Sequence, residues 1–115
     1  MIISVLKSKI HRATVTDAQI YYTGSITIDK TLMEHAKIIP FEKVMVVSLD
    51  SGERLETYVI RGERGTGVIS LNGAAARKAQ IGDLVIIVSF AQMEFEEAKK
   101  HKPSIVFPTS QNKLS

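Results

Sequence analysis

A glycine followed by a serine, Gly24-Ser25, stands within Tyr21-Tyr22-Thr23-Gly24-Ser25-Ile26-Thr27-Ile28-Asp29. A serine hydroxyl can attack the carbonyl of the residue before it and turn the peptide bond into an ester. Glycine in front removes the Cβ that would crowd the tetrahedral intermediate and tolerates strained backbone angles. Elimination from the ester leaves dehydroalanine, and its hydrolysis leaves a pyruvoyl group, an electrophile made from the chain itself. Taken alone, the pair also reads as a plain turn before a strand.

A second group lies in Gly52-Glu53-Arg54-Leu55-Glu56-Thr57-Tyr58. On a strand Arg54, Glu56 and Tyr58 share one face, and Leu55, Thr57 and Val59 the other. Arg54 offers a planar fork for a carboxylate, Tyr58 a phenol that can give up a proton, and Thr57 a hydroxyl close by. Thr57 and Tyr58 point to opposite faces, so one site uses both only through a bulge, a strand end or a neighbouring subunit. The plain reading is an exposed strand with an Arg54–Glu56 ion pair.

A third lies in Ser70-Leu71-Asn72-Gly73-Ala74-Ala75-Ala76-Arg77-Lys78. Asn72-Gly73 closes a strand with a turn that accepts positive φ. The alanines Ala74, Ala75 and Ala76 then leave the N–H groups at a helix start open to an anion. The bland alternative is a tight turn into a short helix. Finally, Lys7, Lys9 and His11 alternate onto one face of an N-terminal strand beside Arg12. They suit a carboxylate or a phosphate, or form a solvated sheet edge.

The elements that must position these groups are mostly strands. Ile2 to Leu6, Ala13 to Thr16, Ser25 to Ile28, Val44 to Val47, Leu55 to Ile60, Val68 to Leu71, Leu84 to Phe90 and Ile105 to Phe107 are short β-patterned stretches. Asp50-Ser51-Gly52 and Gly65-Thr66-Gly67 read as turns between them. Short helices are expected from an Asp29 or Thr31 cap through Ala36, over Gly73 to Lys78, and over Met93 to Lys100. No crossover helix is long enough for a βαβ sheet, so the pattern predicts a small closed β-barrel. Pro108 to Ser115 is polar and reads as a loose tail.

Composition narrows the chemistry. The 115 residues fit one domain, 1–115, with 44% hydrophobic and 23% charged residues. The absence of cysteine excludes disulfides, thiolate metal sites and cysteine nucleophiles. The three histidines, His11, His35 and His101, match no compact metal motif, so no metal is expected. Lys7 and Lys9 interrupt the N-terminal apolar stretch too early for a signal-peptide core, and the run Leu84 to Val88 is too short to span a bilayer. The expectation is a cytoplasmic protein that does not engage a membrane.

In order and spacing, Lys9-x-His11-Arg12, Tyr22-x-Gly24-Ser25-x-x-Ile28-Asp29, Gly52-x-Arg54-x-x-Thr57-Tyr58, Leu71-Asn72-Gly73-Ala74-Ala75-Ala76 and Gly82-Asp83 resemble the pyruvoyl-dependent aspartate 1-decarboxylases. The resemblance runs from Met1 to about Pro103. It implies a mainly β fold, a small six-stranded double-psi β-barrel with short helices, assembled as a homotetramer with sites between subunits. It further implies self-cleavage between Gly24 and Ser25 into a β-chain (1–24) and an α-chain (25–115) that begins with a pyruvoyl group.

That covalent group would serve in place of pyridoxal phosphate. It would hold L-aspartate as a Schiff base while CO2 leaves, and β-alanine for pantothenate biosynthesis would be released. By the same resemblance Ser25 carries the electrophile and Tyr58 donates a proton. Thr57, Gly73, Ala74, Ala75, Arg54 and Lys9 contact substrate, and His11, Tyr22, Asn72 and Ala76 support the site. Whether a maturation factor is needed stays open at this level. The reading from another class is a non-catalytic β-barrel module for RNA or another anionic ligand, motivated by a net charge of +3 and by Lys99-Lys100-His101-Lys102. Few exposed aromatics are expected for base stacking, so nucleic acid is not the expected partner.

Overall fold

Side chains alternate inward and outward along Leu84–Glu94, with Val85, Ile87 and Ser89 buried, and this period of two sets the character of the whole chain. The computed structural model describes residues 1–21 and 23–115; the expectation for Tyr22 lies outside the described residues. Eight strands form one sheet: β1 (Ile2–Thr14), β2 (Asp17–Gln19), β3 (Ser25–Asp29), β4 (Lys43–Ser48), β5 (Arg54–Gly62), β6 (Ile69–Asn72), β7 (Leu84–Glu94) and β8 (Ser104–Val106). Helices α1 (Lys30–Ala36) and α2 (Phe95–Ala98) and a 3-10 turn (Gly73–Arg77) are the only helical pieces among the described residues. The mainly β expectation holds. Strands β2 and β8 have three residues each and join the six longer strands as additions.

Hydrogen-bonded neighbours run in the order β2-β6-β3-β5-β4-β7-β1-β8. β1 and β2 lie near opposite ends of this order, yet only Val15 and Thr16 separate them in the chain. Such a link reaches about 11 Å at most, so the ribbon has to roll up until its ends meet. The junction is sewn by the Val15 N–H to the Asp83 carbonyl (2.9 Å), the Gly82 N–H to the Val15 carbonyl (2.8 Å) and the Thr16 N–H to the Ile69 carbonyl (2.8 Å). Ile10, Val15, Ile26, Ile28, Val44, Val46, Val59, Ile69, Leu71, Val85 and Ile87 fill the interior.

Three neighbouring pairs, β1–β8, β2–β6 and β3–β5, are parallel, which short helices alone did not suggest. The β3–β5 connection uses α1 and the whole of β4 as its crossover. Asp29 caps α1 by accepting from the Thr31 N–H at 2.8 Å. Leu32, Met33 and Ala36 turn inward to the core. β1 is one strand across both of its sequence stretches, bent by irregular pairing between Leu6 and Ser8 and between Ile10 and Ala13.

The C-terminal segment is not a loose tail. Asn112 is buried, with its Oδ1 accepting from the Thr14 N–H at 2.8 Å and its Nδ2 donating to the carbonyls of Thr14 (2.7 Å) and Gly67 (2.8 Å). One side-chain amide thus imitates a peptide group and pins a polar segment that has little apolar surface of its own.

Candidate active site

Ser25 opens β3, with Gly24 exposed on one side and its own side chain fully buried. β6 runs antiparallel beside it and pairs Ser25 with Asn72. The Asn72 Nδ2 donates to the Ser25 Oγ at 2.7 Å and to the Thr27 Oγ1 at 3.0 Å. The Ser70 hydroxyl donates to the Asn72 Oδ1 at 3.0 Å, so the amide can present only its nitrogen to Ser25. Both amide protons are then committed, and the Ser25 oxygen is held by a neutral donor while its own proton remains free to leave. A donor placed on that oxygen favours the alkoxide formed when the hydroxyl gives up its proton.

β5 runs parallel on the other side of β3, with Ile26 level with Val59. The paired register starts at Ile26; carried one step back, it sets Ser25 beside Tyr58, on an adjacent strand about 5 Å away. Thr27 faces Ile60 in the same register, so Tyr58, Ile60, Ser25 and Thr27 share one sheet face. A cleft of about 540 Å³ lies over this face, lined among others by Asp17, Thr27, Arg61, Ser70 and Asn72. Asn72 precedes a Gly73 with φ of 65°, a left-handed turn where a glycine is needed. Its side chain makes no capping bond to the 3-10 turn that follows and is spent on Ser25 instead. Gly73 and Ala75 are buried, Ala76 is half-buried and Ala74 is exposed; the first N–H groups of so short a turn lack partners within it.

The remaining expected residues are not gathered in the same way. Thr57 pairs with Val44 and lies on the opposite face of β5 from Tyr58, and regular pairing there removes the bulge that would have united them. Arg54 shares the Tyr58 face and forms no ion pair among the described residues. The expected Arg54–Glu56 pair is absent because Lys43 on β4 takes Glu56 at 2.7 Å. Lys9 is level with Val88, Val88 with Met45, and Met45 with Glu56. It therefore shares the outer face with Arg54 but stands three strands, about 14 Å, from that row's end on β5.

His11 lies farther along β1, packed edge-on against Phe107 at 5.5 Å, with a buried Nδ1 that has no partner. Burial, then the charges of Lys9 and Arg12, lowers its pKa below the ordinary histidine value. β1 is an interior strand between β7 and β8, not a free edge, and Lys7 is tied to Glu42 at 2.9 Å. Crowding by neighbours does not require Gly24: an added Cβ meets nothing within 4 Å. A glycine there leaves room instead for the serine oxygen, which approaches the carbonyl only during reaction.

The arrangement of a buried, amide-held serine hydroxyl behind an exposed glycine can be set beside known proteins. The family model described as aspartate decarboxylase matches residues 1–115. Curated relatives named aspartate 1-decarboxylase include those of Cytophaga hutchinsonii (60% identity, 99% of each chain), Parabacteroides distasonis (62%, 99% of each) and Clostridium beijerinckii (60%, 99% of this chain and 92% of that one). The chain belongs to the aspartate decarboxylase family. A crystal structure of the computationally designed msDPBB_sym2 protein aligns with 74% of this chain and 96% of its own, at TM-score 0.49 and 15% identity.

Within this member of the family, two polar residues of the site lay outside the sequence reading. Thr27 and Ser70 complete the Asn72 network. The signal for them was present as Ser25-x-Thr27 and Ser70-x-Asn72, polar residues at period two on strands whose other face is Ile26, Ile28, Ile69 and Leu71. Among the described residues there is no cluster of three His, Asp or Glu side chains that could hold a metal, and no helix long and apolar enough to cross a membrane.

Proposed function

We propose that this chain is made as a precursor that cuts itself between Gly24 and Ser25 and, once cut, decarboxylates L-aspartate to β-alanine and CO2. The observation that carries the reading is the Asn72–Ser25 bond of 2.7 Å, which holds a buried nucleophile at the exposed glycine. In the first step the Ser25 Oγ attacks the Gly24 carbonyl carbon, the C–N bond breaks, and the freed amine takes up the hydroxyl proton. Loss of the Ser25 α-proton then expels the Gly24 carboxylate and leaves dehydroalanine. Water hydrolyses it, releasing ammonia and a ketone at position 25.

That pyruvoyl group supplies a carbonyl that takes up the substrate amine and accepts the electrons left by departing CO2. The chain's own residues do the rest. Tyr58, level with position 25 on the same face, delivers a proton to the carbon that lost CO2. Arg54, exposed and without an ionic partner among the described residues, anchors a substrate carboxylate through its two-pronged guanidinium. The N–H groups at Gly73, Ala74 and Ala75 hold the rest of the substrate.

Thr57 and Lys9 face away from Ser25 or stand strands apart, so their contribution requires a second copy. This favours sites between subunits; the family resemblance adds a homotetramer of double-psi β-barrels, working in the cytoplasm and supplying β-alanine for pantothenate. Against the expectation of few exposed aromatics, Phe41, Phe90, Phe95 and Phe107 are all exposed, which lends the RNA-binding reading some stacking surface; the family match supports the enzyme reading over it.

Intact-mass spectrometry of the purified protein tests the proposal. Two fragments are expected, residues 1–24 and a chain from position 25 to 115 bearing a pyruvoyl cap, together with CO2 release from aspartate. A chain that stays whole through prolonged warming would overturn the reading.

A further inference from the structure

Phe41 adopts a left-handed backbone conformation, φ 72°, that bulky residues rarely take, and its side chain is 77% exposed. Glycine or asparagine would meet the turn at lower cost, and nothing in the core claims the ring. Strain of this kind at a non-glycine residue points towards function when the surroundings hold it firmly. They do so here. The Phe41 N–H donates to the Val59 carbonyl at 2.7 Å, and the Val59 N–H donates to the Glu42 carbonyl at 3.0 Å. The Glu42 carboxylate accepts from the Ile39 N–H at 3.1 Å and from the Lys7 Nζ at 2.9 Å, which fastens the loop to β1.

The effect of this bracing is to lay the Phe41 ring beside Tyr58, with centroids 6.3 Å apart and planes tilted by 33°. That separation falls within the range of favourable aromatic pairs. Tyr58 is otherwise a partly exposed side chain on an outer sheet face, 37% accessible, with no hydrogen bond to fix it among the described residues. A phenol that must deliver a proton to one carbon needs a fixed ring.

We infer that Phe41 is a positioning residue: the strained 37–42 loop holds its ring against Tyr58 so that the phenol stays directed at position 25. This rests on the reading of Tyr58 as proton donor. Self-cleavage, which is assigned to Ser25 and Asn72, should be indifferent to it.

The test compares Phe41→Gly, Phe41→Tyr, Tyr58→Phe and the double variant Phe41→Gly/Tyr58→Phe as fully self-cleaved enzymes with aspartate. Phe41→Gly should cut normally and keep or raise its melting temperature, because glycine relieves the backbone. Its kcat should fall about two- to tenfold, the range an aromatic pair can support, with KM changed by less than about twofold. Phe41→Tyr, which restores a ring, should recover kcat. In the Tyr58→Phe background Phe41→Gly should cost nothing further.

Unchanged kcat in Phe41→Gly, or an equal loss with and without the Tyr58 hydroxyl, would overturn the inference while leaving Tyr58 in place. So would a loss explained by a changed oligomeric state on size exclusion. Wild-type kcat in Tyr58→Phe alone would instead overturn the proton-donor reading, and this inference with it.

Discussion

The two ends of β3 are both buried and both polar, and they do opposite things. At its start Ser25 receives one hydrogen bond among the described residues, from the Asn72 side-chain amide. At its end Asp29 receives backbone N–H groups from Thr31 (2.8 Å), Gly65 (3.0 Å) and Gly67 (2.8 Å). Burial alone would push the Asp29 carboxyl up, but the N–H donors of Gly67, Thr31 and Gly65 outweigh it and hold its pKa below the usual carboxylate range. A saturated carboxylate is inert; it joins α1, the 65–67 turn and β3 into one corner. A buried hydroxyl with one donor among the described residues, beside the exposed Gly24, keeps the capacity that the proposed self-cleavage needs. Burial of a polar group therefore marks chemistry only when its hydrogen-bond capacity is left partly open.

Substitutions at the two ends should separate these roles. The largest effect is expected from Ser25→Ala, which removes the nucleophile: no fragments by mass spectrometry, and no CO2 release above background. Its melting temperature should stay within a few degrees of the uncut wild type. A Ser25→Ala chain that still cuts would place the nucleophile elsewhere and dissolve the contrast.

Asn72→Ala should slow self-cleavage by about 10²-fold, the scale of losing one preorganised donor that stabilises charge on a reacting oxygen, here the deprotonated Ser25, followed by the time course of fragment appearance. Cutting at an undiminished rate would reduce the amide to a structural tie between β3 and β6.

At the other end, Asp29→Ala should leave the chemistry of the folded fraction intact and cost about 2–4 kcal/mol in denaturant unfolding, from a lost helix cap and stranded N–H groups. Because the folded carboxyl titrates lower than the unfolded one, its contribution is present above the unfolded value near 3.8 and vanishes as pH falls through the folded value. The acid limb of the wild-type stability profile should therefore be steeper than that of Asp29→Ala. Equal slopes would mean that the hub does not hold its charge in the fold.

Much of this was readable along the chain. The apolar run opening Leu84 to Phe90, the Asp50-Ser51-Gly52 turn and the Asp29 cap are local patterns, and local patterns survive folding. Gly24-Ser25 and Leu71-Asn72-Gly73 were legible as separate reactive fragments. Their meeting was not, because a bond between residues 25 and 72 depends on strand register, which no local pattern encodes. The docked tail is illegible in sequence for a related reason: Asn112 makes three bonds to Thr14 and Gly67, and its polar neighbours give no apolar signal of a docking segment. Thr57 and Tyr58 were already on opposite faces by parity, and the regular pairing of β5 keeps them so.

By itself, then, the sequence determined the strand-rich character, the absence of thiol chemistry, the family and the Gly24-Ser25 pair proposed to react, since these reside in residue type and near spacing. Only the tertiary structure decided that Asn72, oriented by Ser70, grips the Ser25 oxygen, that Tyr58 is level with it, and that Phe41 leans on Tyr58. Each of those facts joins residues far apart in the chain. They exist because a closed ribbon permits one register at a time, and a slip of one residue would turn Ser25 from the face it shares with Thr27 to the core.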